Sequence, residues 1–114
     1  MFKINPNPTF TAEANIAVPG QPAEKLKLVF RHKTRAEVKT FCDRVAEAAK
    51  AAADEHTAGA RDAALLQEIV AGWEDVDQPF TPENFALVLE NYHTASQAIF
   101  DAYTSEITTA RRGN

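Results

Sequence analysis

Apolar and polar residues alternate through the first third of the chain. Phe10, Ala12, Ala14, Ile16 and Val18 fall on one side of an extended segment, and Thr9, Thr11, Glu13 and Asn15 on the other. Successive side chains of a strand point to opposite faces, so this pattern predicts a half-buried strand. Pro19-Gly20-Gln21-Pro22 follows with turn chemistry, because Gly20 permits a positive φ and the prolines cannot extend a ladder. A second alternation turns Leu26, Leu28 and Phe30 inward and Lys25, Lys27 and Arg31 outward. The two segments predict an antiparallel hairpin. Residues 1–8, with Pro6 and Pro8, read as an extended lead-in. A lone hairpin is marginal in water, so it must pack on something.

From Thr34 the period changes. Thr34-Arg35-Ala36-Glu37 is a capping-box pattern, in which the first and last side chains satisfy each other's free N–H groups. Val38, Phe41, Cys42, Val45, Ala49 and Ala52 then recur at helical spacing. The alanine-rich run Ala46–Ala53 raises helix propensity and permits close approach of a neighbour. Gly59 reads as a stop or joint. A second helix is expected from Asp62 to about Ala71, with Leu65, Leu66, Ile69 and Val70 as its apolar face, ending near Gly72. The stretch from Gly72 to Phe80 reads as a loop. Thr81 then suits an N-cap, and Pro82 the first helical position, where its missing N–H costs nothing. Phe80 and Phe85 have hydrophobic-staple spacing, and this helix runs through Val88 and Leu89 to about Asn91. Thr94-Ala95-Ser96-Gln97 repeats the capping-box pattern. It opens a last helix bearing Ala95, Ile99, Ala102, Tyr103 and Ile107, with Arg111 and Arg112 at its end. The expected architecture is α+β: an N-terminal antiparallel β-hairpin packed against a bundle of about four α-helices. One domain is expected over 1–114, with lead-in and hairpin in 1–33 and the helical part in 34–114.

Composition narrows the class. A length of 114 residues fits one domain. Hydrophobic residues at 45% and charged residues at 25% exclude disorder over the whole length. A net charge of −4 argues against general nucleic-acid binding. The single cysteine cannot form an internal disulfide. No apolar run is long enough for a membrane span, and the N-terminus lacks the apolar stretch of a signal peptide, so the cytoplasm is the expected compartment. The charge is unevenly spread. Residues 1–50 hold nine of the 12 basic and five of the 16 acidic residues, so the first part is net positive and the rest net negative. Either these are two solvated faces of opposite sign, or they steer a partner or another copy arranged head to tail.

Candidate chemistry is sparse. Gly20, Gly59, Gly72 and Gly113 are too far apart for a phosphate-cradling loop. Ser96 and Ser105 are both expected on a helix, with no nucleophile-elbow motif. Cys42 lies on an apolar helix face, as a small core residue does. His32, His56 and His93 lack metal-ligand spacing. Glu74, Asp75 and Asp77 form a dense acidic group, but Pro79 and Phe80 stand where a calcium loop needs glycine and oxygen ligands. The expectation is therefore a binding protein and not an enzyme, with no cofactor and no metal. Trp73, Phe80, Phe85 and Tyr92 crowd within twenty positions. Either they knit the last helices into one core, or one or two stay exposed as anchors in a partner interface, where Trp and Tyr are enriched.

Those aromatic residues also carry a resemblance. Gly72-Trp73, Val76-Asp77, Pro79-Phe80-Thr81-Pro82-Glu83-Asn84-Phe85, Leu89, Asn91-Tyr92, Ala95 and Ala98-Ile99 resemble the tail assembly chaperones of long-tailed bacteriophages. The Asn-Pro lead-in, Thr9-Phe10, the lysine-bearing hairpin, Phe30-Arg31-His32-Lys33 and the ending Ala110-Arg111-Arg112-Gly113-Asn114 fit as well. His93 departs from the pattern, where a proline would follow Asn91-Tyr92. The resemblance implies a protein that binds the long, largely helical tape-measure protein, the major tail tube protein, or both, in the host cytoplasm. Such a chaperone keeps its client soluble until the tube polymerises and is absent from the finished virion. In many phages a ribosomal frameshift near the end of the gene yields a longer form. The residues expected to touch the client or another copy are Trp73, Val76, Asp77, Phe80 and Tyr92. The alternative is a structural virion protein of the tail or head–tail connector, which would persist in purified particles.

Overall fold

The computed structural model describes residues 1–51 and 58–109. The two alternating segments form the expected hairpin, with β1 at Thr9–Ile16 and β2 at Glu24–Arg31. They pair antiparallel from Thr9 against Arg31 to Ile16 against Glu24. At the turn, Gly20 takes a φ of +75° and the Gln21 N–H donates to the Val18 carbonyl at 3.0 Å. At the other end the His32 N–H donates to the Pro8 carbonyl at 2.8 Å. Ala14, Ile16, Leu28 and Phe30 are buried on one face, while Thr11, Glu13, Asn15, Lys25 and Arg31 are exposed on the other. The period-2 pattern thus sets which face of the sheet is covered.

The stretch expected as the end of a helix and a loop is instead a third strand. The second helix stops at Leu66, and β3 runs Val70–Glu74, antiparallel to β2, giving the order β1-β2-β3. Lys27, Leu28, Val29 and Phe30 oppose Glu74, Trp73, Gly72 and Val70, with a register shift between Val29 and Phe30. Ala71 is the extra residue. Such a bulge lets two residues three positions apart face the same way, so Val70 and Trp73 both turn toward the core opposite Phe30 and Leu28. That spacing imitates one turn of helix, which is why the sequence pattern reads as helical there. The Arg31 N–H donates to the Ile69 carbonyl at 2.7 Å and starts the pairing, and Ile69 itself is buried.

Among the described residues four helices complete the fold: α1 (Arg35–Ala51), α2 (Ala58–Leu66), α3 (Pro82–Asn91) and α4 (Ala95–Thr104), the last running on into a π-helical turn at Ser105–Thr109. The α1 capping box forms. The Thr34 N–H donates to the Glu37 carboxylate at 2.8 Å, and the Glu37 N–H donates to the Thr34 hydroxyl at 3.2 Å. The α3 cap forms too, with the Asn84 N–H donating to the Thr81 hydroxyl at 3.0 Å and the Phe80 and Phe85 rings stapled at 5.4 Å. The second capping box does not form. Thr94 sits in a turn with φ −97° and ψ 3°, so its hydroxyl caps nothing, and the Gln97 amide donates instead to Asp101 at 2.8 Å. Gly59 is neither stop nor joint. It lies inside α2 against α3, where an added Cβ would meet the Glu90 carboxylate and come within 3.4 Å of the Glu90 Cα.

The core lies between the sheet and the helices. Tyr103 of α4 is fully buried at its centre, its ring 5.8 Å from Phe10, 5.2 Å from Phe30 and 6.3 Å from Phe41. α1 enters through Val38 and Phe41, and Cys42 and Val45 pack half-buried beside them. An ion pair between Arg44 and Glu68 clasps α1 to the turn after α2. Ala52, Ala53, His56, Arg111, Arg112, Gly113 and Asn114 lie outside the described residues.

Candidate protein-binding surfaces

β2 runs antiparallel to both neighbours, so the end of β1, the start of β2 and the end of β3 meet at one end of the sheet. A groove of about 410 Å³ opens there. Ile16, Val18 and Leu26 form its hairpin wall, Val88 of α3 and Tyr92 at the α3 C-cap the facing wall, and the loop Asp75-Val76-Asp77 one lip. The apolar floor is rimmed by charge. Lys27 donates to Asp75 at 3.1 Å, which holds the lysine above its ordinary pKa, the hydrogen bond being the first cause and the carboxylate charge the second. Asp75 itself takes a φ of 58°, a left-handed conformation that Asp tolerates better than most residues. Lys25 reaches back to Glu13 at 3.8 Å. Glu24 and Asp77 have no ion-pair partner among the described residues.

The five residues singled out in the sequence divide into two groups. Val76, Asp77 and Tyr92 line this groove. Trp73 and Phe80 do not line it and pack half-buried on each other, with rings 5.1 Å apart and edge-on. Trp73 also approaches Phe85 at 6.3 Å, and its indole N–H donates to the Gln78 carbonyl at 2.9 Å. Asn84 donates from its side-chain amide to the Pro79 carbonyl at 2.9 Å, so the loop after β3 is tied at two points. Sequence reasoning missed the hairpin wall, Ile16, Val18 and Leu26, and Val88 beside Tyr92. Recognising Val70–Glu74 as a strand would have found it, because a third strand beside β2 carries Asp75–Asp77 to the hairpin tip.

A second groove, about 340 Å³, lies between α1, α2 and α4. Val45, Ala48 and Ala49 face Leu65, Leu66 and Phe100 across it. Its polar edge is Ser96, which donates to Asp62 at 2.9 Å, and Arg61, whose Nε lies 3.6 Å from the same carboxylate. Among the described residues no three of His, Cys, Asp and Glu gather as a metal ion would require. No helix among them is long and apolar enough to cross a membrane.

The fold and surface define a small α+β protein that carries, among the described residues, an apolar helix-lined groove and a groove of apolar side chains with an acidic rim. A family model for phage tail assembly chaperones matches residues 1–114, and the protein belongs to that family. No curated protein and no solved structure was found to match the chain.

Proposed function

We propose that the protein holds the tape-measure protein, the tail tube protein, or both, in soluble form by stoichiometric binding until the tail tube polymerises. It does so in the cytoplasm of the infected host and leaves before the virion is finished. The observation that carries this reading is the family match over the full 114 residues. The groove between α1, α2 and α4 supports it. Exposed apolar helices aggregate unless covered, and a groove lined by Val45, Ala48, Ala49, Leu65 and Phe100 suits the apolar face of a helical client. Alanine on α1 lets a client backbone approach closely. The groove at the sheet end, with Val76, Asp77 and Tyr92, is the surface for a more polar contact, with the client or with another copy.

Co-expression with the tape-measure and tube proteins of the same genome tests the reading. Client that is soluble and co-purifies only when this chain is present supports it and identifies the client. Client that stays insoluble and unbound for both proteins overturns it.

A further inference from the structure

We infer that the N-terminal arm of one copy, residues 1–8, docks in the sheet-end groove of a second copy, so that the chains associate head to tail. The arm is apolar where it projects. Phe2 is 92% and Ile4 91% exposed, and Met1 is fully exposed, which makes the arm the main site of uncovered large apolar side chains among the described residues. Three such residues on one short segment are an unfilled contact and not scattered surface. Between Phe2 and Ile4 stands Lys3, whose amine donates to the Asn7 side chain at 3.2 Å. The groove offers the complement: apolar side chains of Ile16, Leu26, Val76 and Tyr92 beside Glu24 and Asp77, the two carboxylates there that lack an ion pair among the described residues, while Lys25, which also lines it, pairs with Glu13 at 3.8 Å.

Reach assigns the arm to a second molecule. β1 carries the chain away from the arm, so Thr9 and Ile16 stand about 23 Å apart at the usual rise of a strand. Ile4 is five residues from Thr9, about 17 Å at full extension. The contact between Lys3 and Asn7 shortens that further. The arm falls short of its own groove but projects freely from the opposite end of the sheet. Arm and groove are different surfaces at opposite ends, so the contact is heterologous and repeats from copy to copy. The uneven spread of charge along the chain has the same polarity, a basic arm against an acidic lip. The inference stands independently of which client is bound.

Sedimentation of the full-length protein tests it. The wild type is expected to associate with rising concentration, more weakly in high salt. The double variant Phe2→Ser/Ile4→Ser should raise the dissociation constant by about tenfold or more with unchanged thermal melting, since those side chains pack on nothing in their own molecule. Val76→Arg should do the same from the groove side. Mixing the two variants restores one intact contact per pair, so dimers should form where each variant alone is monomeric. A wild type that stays monomeric to about 0.1 mM, or an arm variant that sediments as the wild type does, overturns the proposal. An arm variant with unchanged self-association but lost client recovery would give the arm to the client and overturn it equally.

Discussion

Tyr103 and Arg31 stand 72 positions apart and are joined by a 2.9 Å hydrogen bond, from the phenol to the main-chain carbonyl at the end of β2. The bond anchors α4 to the sheet through the largest fully buried side chain of the core. Tyr103→Phe keeps the ring packing against Phe10, Phe30 and Phe41 and removes only the donor. The expected loss is about 1 kcal/mol of unfolding free energy, read from urea denaturation.

The same residue predicts an alkaline slope. Burial is the first cause that pushes the Tyr103 phenol up, from 10.0 to about 12, with the Glu37 charge second. In the unfolded chain the phenol ionises near 10, whereas the folded protein resists ionisation, so the native state holds the extra proton. Stability is therefore intact below pH 10 and falls between pH 10 and 12. Tyr103→Phe should flatten that fall. An unchanged slope in the variant would assign it to other groups.

The α1 cap predicts an acid slope of opposite sign. The Thr34 N–H holds the Glu37 carboxyl below its ordinary pKa, helped by the Thr34 side chain. The lowered value means that this contribution is present above the unfolded pKa and is lost as pH falls through the folded one. Wild type and Glu37→Gln should differ at neutral pH and converge in acid. Thr34→Ala, which removes the other half of the box, should cost about 1 kcal/mol at neutral pH.

How much of this was readable beforehand depended on locality. The hairpin, the Thr34 and Thr81 caps and the Phe80–Phe85 staple are set by residues within a few positions of each other, and all are where the alternation and capping patterns put them. β3 was hidden because its bulge gives Val70 and Trp73 helical spacing, and because strand identity depends on β2, forty positions away. The Thr94 box failed for a related reason. The chain has only Tyr92 and His93 in which to turn from α3 into α4, so Thr94 enters the helix without the extended backbone that a cap requires. The sheet-end groove is further from the sequence still, since it joins a hairpin tip, a loop and a helix face. Three of its residues were found only through the clustering of Trp73 to Tyr92 and the resemblance that clustering carried.

Asp75 gives a prediction about strain. Its φ of 58° suits Gly, Asn or Asp. Asp75→Ala should therefore cost about 1 kcal/mol, and Asp75→Asn much less, although both break the pair with Lys27. The lysine is exposed, and an exposed pair contributes little. Equal losses in the two variants, measured by denaturation at low and high salt, would mean that the ion pair and not the backbone matters.

The two grooves predict separable defects. Ala49 is exposed on α1 at the helix-lined groove, and Asp77 is exposed on the lip at the sheet end. Glutamate keeps the helix propensity of α1, and a surface exchange of either residue should shift stability by less than about 0.5 kcal/mol. Ala49→Glu puts a charge where an apolar helix would lie, so client recovery in co-expression should collapse while sedimentation of the free protein stays unchanged. Asp77→Lys reverses the charge that Lys3 of a docked arm would meet, so self-association should weaken while the helix-lined groove stays intact. If client recovery falls with Asp77→Lys and survives Ala49→Glu, the client lies at the sheet end and competes there with the arm. If it falls with both, the client needs several copies in line, each holding one length of helix, and the arm contact sets how far apart those lengths are held.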